Sequence, residues 1–303
     1  MKKLVYFVSL ILLSLVLVSQ AACAPSSGDQ KPSQESQEST SKAVETTGQA
    51  SDKDSKDLVK IKVAASPQPH AEILGAVKDQ LKEEGIDLEI IEFTDYVLPN
   101  IATQEGDVDA NYFQHKPYLD QFNAENKTDL VSLGPVHYEP FALYPGKLKS
   151  LEDVKEGATV GIPNDVSNQA RALLLLQDLG WISLPQDKDS LELTILDIAE
   201  NPHKLKFSEL AAAQLPRSLD DLDYAIINGN YALEAGLSVA DDALAVEKED
   251  SLAATTYANI LAASKDRADD PNLAKLYQAL QSETVKTFLA EKYQGAVLPV
   301  QGD

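Results

Sequence analysis

Between Asp95 and Tyr118 the chain reads DYVLPN, a short spacer, then GDVDANYFQHKPY, which puts Tyr96, Tyr112, Phe113, His115 and Tyr118 within 23 residues. The whole chain of 303 residues has only 11 Tyr, 7 Phe and 4 His, so the stretch is a real concentration. Rings beside one imidazole make an apolar pocket with a polar edge, the usual build of a small-molecule site. Aromatic residues are also common core residues, so the stretch by itself fits a buried strand equally well. Later, PNDVSNQAR at 163–171 places Asn168 and Arg171 three residues apart, on one face of a helix's first turn. Free N–H groups and the positive dipole end at a helix N-terminus, joined by an arginine, can receive a carboxylate, and the guanidinium can add a bidentate charge-assisted bond. In so acidic a chain the same arginine also fits a surface salt bridge. Asn228 follows the apolar run Tyr224–Ile227, and Asn259 interrupts the apolar run Tyr257–Ala263. Asn228 reads as a ligand amide or as a turn asparagine, whereas a buried Asn259 needs partners from protein or ligand.

Strand ends and helix starts must present these side chains. Leu58–Ala65 (LVKIKVAA) alternates as a strand, and Ser66-Pro67-Gln68-Pro69 ends it. Ile73, Leu74, Val77 and Leu81 recur at helical spacing over 71–84, Gly85 stops the helix, and Leu88–Phe93 is a second strand. This βαβ unit predicts an α/β fold with a largely parallel sheet, and Tyr96 falls beyond a carboxyl strand end, where such sheets bind ligands. A helix over 97–105, a strand over 108–113 and a helix from Lys116, with Pro117 in its first turn, bring Phe113, His115 and Tyr118 to the same edge. Strands are expected at 130–136, 140–144, 159–162, 191–198, 205–210 and 224–227, helices at about 168–179 (capped by Asp165 or Ser167) and 214–223, and one or two amphipathic helices over 271–293.

The net charge of -22, from 48 acidic and 26 basic residues, argues against nucleic acid and anionic lipid as partners. The one cysteine, Cys23, excludes an intrachain disulfide and a cysteine-rich metal site. His70, His115, His137 and His203 show no zinc-binding spacing, so no metal and no cofactor is expected. Lys2 and Lys3, the apolar run 4–18 and the small residues Ser19, Ala21 and Ala22 read as a secretory signal. The run is short of the ~20 apolar residues of a membrane span. Ala21-Ala22-Cys23 resembles a bacterial lipobox, with Gln20 where leucine is usual. Lipidation of Cys23 is therefore expected, against ordinary cleavage after Ala24. Residues 23–57 are polar and low in aliphatic content, so they read as a disordered tether.

DYVLPN, the GD-x-DAN-x-FQHKPYLDQ run, IPND with the following Asn and Arg, ENPH, QLPRSLDD and the IIN segment together resemble the NlpA family of substrate-binding lipoproteins, from about Val59 to Gly295. The resemblance implies a type II periplasmic-binding-protein fold, two α/β lobes around a central cleft: lobe 1 at about 58–138 plus 258–303 and lobe 2 at about 139–257, after a signal at 1–22. It implies methionine as the ligand, its thioether among Tyr96, Phe113, His115 and Tyr118, its head group on Asn168, Arg171, Asn228 and Asn259. It also implies delivery to the membrane permease and ATPase subunits of an ABC importer from the outer face of the membrane, with the long tether suiting a Gram-positive surface. Val166, Ser167 and Ala170 depart from the family's usual PNDPTN-Gly run, and ATTYAN departs from its usual approach to the last asparagine. These departures leave open another apolar amino acid or a methionine-containing dipeptide. A secreted enzyme using His115 as base, and a surface adhesin, are the readings from other classes.

Overall fold

The computed structural model describes residues 58–248 and 255–302. The signal, Cys23 and the tether expected before residue 58 lie outside the described residues. The first strand, β1 (Val59–Ala65), is followed by a turn at Pro67–Ala71, α1 (Glu72–Ala76) and α2 (Lys78–Glu83). The single helix expected over 71–84 is broken at Val77, whose φ of -105 and ψ of 0 leave the helical region. The apolar spacing survives the break: Ile73, Leu74, Val77 and Leu81 are all fully buried, each worth about 1.5–3 kcal/mol against exposure. Gly85, at φ +89, then turns the chain into β2 (Ile86–Glu92), a backbone region that a side chain would strain.

Next come α3 (Leu98–Glu105), β3 (Ala110–His115), α4 (Lys116–Asn126) and β4 (Leu130–Tyr138). The chain then crosses to a second sheet, made of β5 (Ala142–Pro145), β6 (Thr159–Pro163), β7 (Lys206–Leu210), β8 (Tyr224–Ile227) and β9 (Ala245–Val246), with α5 (Val166–Asp178) after β6 and α6 (Gly229–Glu234) after β8. It returns through β10 (Asn259–Ser264), α7 (Pro271–Leu280), α8 (Glu283–Tyr293) and β11 (Leu298–Pro299).

The strand order is β11-β4-β10-β3-β1-β2 in one sheet and β7-β6-β8-β5-β9 in the other. This is the two-lobe α/β architecture of a binding protein, with a separate apolar core in each lobe. The sheets are mixed rather than largely parallel. β1 pairs in parallel with β2 and β3, and β6 with β7 and β8, but β10 runs antiparallel to β3 and β4, and β5 antiparallel to β8 and β9. The antiparallel strands β4, β5, β9 and β10 are those that carry the chain between lobes, so the crossover itself breaks the parallel rule.

Two expected elements differ. Residues 191–198 form no strand, because Asp197 bonds back to the Thr194 N–H and hydroxyl at 2.8 Å each and closes a short 3-10 turn at Ile195–Asp197. The helix expected over 214–223 is a pair of 3-10 turns, Ala212–Gln214 and Pro216–Ser218, where Pro216 removes a backbone donor.

Candidate functional site

β3 carries ANYFQH with every residue buried, so its alternate side chains point into two packed surfaces. One side of its end presents Phe113 and His115 to the cleft, where Tyr96 and Tyr118 meet them. The Tyr96 ring lies 5.8 Å from Phe113, 5.6 Å from Tyr118 and 4.9 Å from Tyr231, centroid to centroid, distances at which aromatic pairs attract. Behind this wall, Gln114 donates to Asn100 and Asn111 at 2.7 Å each, and Asn100 donates back at 2.9 Å. The closed amide network fixes β3 against α3.

The opposite wall belongs to the second lobe. Asp165 caps α5 by accepting from the Asn168 N–H and side-chain amide at 2.9 Å each. The Ser167 N–H is taken by Gln121 at 3.0 Å and the Gln169 N–H by the Asp165 carbonyl at 2.8 Å. These N–H groups, expected to receive a carboxylate, are therefore spent on the protein, and Arg171 is the cation that this wall brings to the cavity. It is not the surface salt-bridge residue that its acidic context also allowed: its side chain is 4% exposed and pairs with Glu247 at 2.6 Å. Burial works against the guanidinium charge, and the adjacent Glu247 carboxylate more than offsets it.

All eight residues singled out in the sequence, Tyr96, Phe113, His115, Tyr118, Asn168, Arg171, Asn228 and Asn259, line one small cavity, together with Gln114, Glu139, Gly229 and Asn230. The hydrogen bonds assign its polarity. The Tyr118 N–H donates to His115 Nδ1 at 3.2 Å, so the imidazole proton sits on Nε2 and donates to Asn168 Oδ1 at 3.1 Å. Asn228 Nδ2 donates to the same oxygen at 2.8 Å, while Asn228 Oδ1 is buried with no partner among the described residues. A buried acceptor without a donor is costly unless a ligand supplies one. Burial, then the Arg171 charge, push His115 down to about 3, so it is a neutral donor and no general base near pH 7.

A family profile for NlpA lipoprotein matches residues 61–301. The chain belongs to the NlpA lipoprotein family. The D-methionine-binding lipoprotein MetQ of Salmonella typhi is 44% identical over 248 residues, 81% of this chain and 90% of that protein. Among solved structures, a lipoprotein from Ruminococcus gnavus is 51% identical at a TM-score of 0.79, covering 80% of this chain and 99% of that one. A nutrient binding protein from Burkholderia cenocepacia bound to methionine is 45% identical at a TM-score of 0.75, covering 80% of this chain and 100% of that one. NlpA-family relatives of this kind are binding lipoproteins, not enzymes, which removes the reading of His115 as a catalytic base.

In this NlpA-family chain the sequence reading missed the acidic members of the site. Glu139 follows β4 on the first crossover, 5% exposed. His137 Nε2 donates to its Oε1 at 2.7 Å, and His70 Nε2 lies 3.5 Å from the same oxygen while bonding Asn259 Oδ1 at 3.0 Å. Tyr112 donates its hydroxyl proton to His137 Nδ1. His70 and His137, scattered in sequence, thus meet with ring centroids 4.9 Å apart. With Glu139 they are a group of metal-ligand type, all within 4.8 Å, but their facing atoms are spent on one another and on Tyr112 and Asn259. Burial drives His70 down to about 4 and His137 to about 3, and raises Glu139. The detectable signal was HYEP at 137–140, a carboxylate directly after a buried strand.

The lobes are latched across the cleft. The Tyr96 hydroxyl donates to Asn230 Oδ1 at 2.5 Å and the Tyr231 hydroxyl to the Thr94 carbonyl at 3.2 Å. Together with His115–Asn168 and Gln121–Ser167, these bonds tie the two lobes together beside the cavity.

Proposed function

We propose that this chain is a lipid-anchored, extracytoplasmic receptor that binds methionine and hands it to the permease and ATPase subunits of an ABC importer. One observation carries the reading: one cavity brings together the Tyr96, Phe113 and Tyr118 rings, the Arg171 guanidinium, the Glu139 carboxyl and the Asn228 amide oxygen, which has no partner among the described residues. The thioether rests against Tyr96, Phe113 and Tyr118, where sulfur–ring contacts contribute about 0.3–1.5 kcal/mol each. The carboxylate takes Arg171 and the amide N–H groups of Asn259, whose oxygen is held by His70. The ammonium takes Asn228 Oδ1 and Glu139. His115 and Asn168 bridge the two ends as neutral donor and acceptor. The methionine bound to the Burkholderia cenocepacia relative supports this choice of ligand, and the apolar signal followed by Cys23 supports the anchor and the outer-face location.

Calorimetric titration of ligand-stripped, refolded protein with L-methionine, D-methionine, leucine and glycylmethionine tests it. Saturable one-to-one binding, tightest for a methionine enantiomer, is expected. Preference for leucine or the dipeptide would replace the ligand and keep the scaffold, and no binding to any of them would overturn the reading.

A further inference from the structure

Arg171 reaches the cavity with its charge already answered. Nε lies 3.2 and 3.1 Å from the two Glu247 carboxylate oxygens, and Nη2 lies 2.6 Å from Oε2. Nη2 also donates to the Glu139 carbonyl at 2.9 Å. Among the described residues no hydrogen bond uses Nη1, which is thus the nitrogen left for a ligand. The guanidinium carbon sits 4.7 and 4.5 Å from the Phe141 and Tyr257 ring centroids, within cation–π range of both. Glu247 is pinned in turn by the Tyr138 hydroxyl at 2.6 Å. Arg171 borders the ligand cavity and Glu247 does not: Glu247 borders a different cavity, with Leu174, Leu191 and Tyr257. The carboxylate therefore stands behind the arginine, outside the reach of a ligand but within its field.

We propose that Glu247 is a specificity-determining and positioning residue. As a resident counter-ion behind Arg171, it makes the cavity select zwitterions over simple carboxylic acids. Resting on the amino-acid reading above, the argument is one of charge. Arg171 and Glu247 cancel, so the walls offer a ligand carboxylate no uncompensated positive charge. A zwitterion adds no net charge and puts its ammonium on Asn228 Oδ1 beside Glu139. An acid without the ammonium adds an uncompensated negative charge to a buried site, where charges a few ångströms apart interact strongly. A ligand with its carboxylate masked as an amide keeps the ammonium and loses only its bonds to a guanidinium that already has a partner.

The test compares wild type, Glu247→Gln and Glu247→Asp by calorimetry with L-methionine, 4-(methylthio)butanoic acid and L-methioninamide. In wild type the acid binds more weakly than the amide. In Glu247→Gln the acid-to-amide affinity ratio rises by at least about tenfold, and Glu247→Asp retains the wild-type ratio. A merely structural role would weaken all three ligands together, so an unchanged ratio in a Glu247→Gln protein with native circular dichroism overturns the proposal. If that variant does not fold, wild type binding the acid more tightly than the amide overturns it instead. Wild type that binds none of the three fails on the amino-acid reading itself, a result separate from an unchanged ratio.

Discussion

The two ends of the cavity are built in opposite ways. The aromatic end comes from one lobe and one continuous stretch, with Tyr96, Phe113 and Tyr118 inside 23 residues. The charged end draws on Arg171 from α5, Asn228 before α6, Glu139 and Glu247 from the crossovers and Asn259 from β10. Rings are held by contact with their neighbours in chain and space. Charges buried at 4% and 5% exposure, as for Arg171 and Glu139, need partners that only the finished fold can supply. The difference teaches where failure should be abrupt and where gradual: the polar end depends on both lobes at once, the aromatic end mostly on one.

The sharpest way to break that contrast is Arg171→Ala. Truncating one partner of a buried charge pair costs about 2–5 kcal/mol, so methionine affinity should fall by at least about 30-fold. Glu247, left without its cation, should also lower the unfolding midpoint. Unchanged affinity by calorimetry would remove Arg171 from the site.

Acid should find the polar end through stability. His70, His115 and His137 titrate near 4, 3 and 3 in the folded protein, against 6.5 for a free imidazole. Their folded values are depressed, so the unfolded chain binds more protons, and their contribution is full above pH 6.5 and lost as the pH falls toward 4. Glu139, raised by burial, and Glu234, raised mainly by burial to about 7, run the other way. Asp165, raised by burial, joins them, but the three imidazoles fall from 6.5 to about 4, 3 and 3, so the urea midpoint is expected to drop between pH 6.5 and 4.5. A midpoint that holds or rises across that interval would contradict the buried neutral imidazoles.

Smaller effects sharpen the comparison from the aromatic side. Tyr96→Phe removes the hydroxyl that reaches Asn230 and keeps the ring, at about 0.5–1.5 kcal/mol. Stopped-flow release should accelerate by about 2- to 10-fold with little change in association. Exchanging methionine for norleucine replaces sulfur by methylene and should weaken binding by only about 2- to 12-fold. A larger loss than in Arg171→Ala would reverse the order of the two ends.

How much of this was legible in the sequence follows the same division. The aromatic end was readable because its residues are neighbours and Pro117 fixes the strand-to-helix turn that gathers them. Asn168 and Arg171 were readable from their three-residue spacing, Asn228 from a strand end, and Asn259 as a polar residue in an apolar run. Glu139, His70 and Glu247 were not. Their roles depend on β10 lying between β3 and β4, which sets Asn259 opposite both His115 and His137, and on two crossovers meeting at one arginine. No local period encodes such meetings. The false strand at 191–198 fails for a related reason: its apolar alternation is genuine, but Asp197 gives the backbone a better local partner than a distant strand.

The most direct measurement is a crystal structure of the ligand-stripped protein after binding L-methionine. The account predicts the carboxylate within hydrogen-bond distance of Arg171 Nη1, the ammonium on Asn228 Oδ1 and Glu139, and the sulfur against the Tyr96, Phe113 and Tyr118 rings. Methionine bound with its carboxylate among the rings, or outside this cavity altogether, would contradict it.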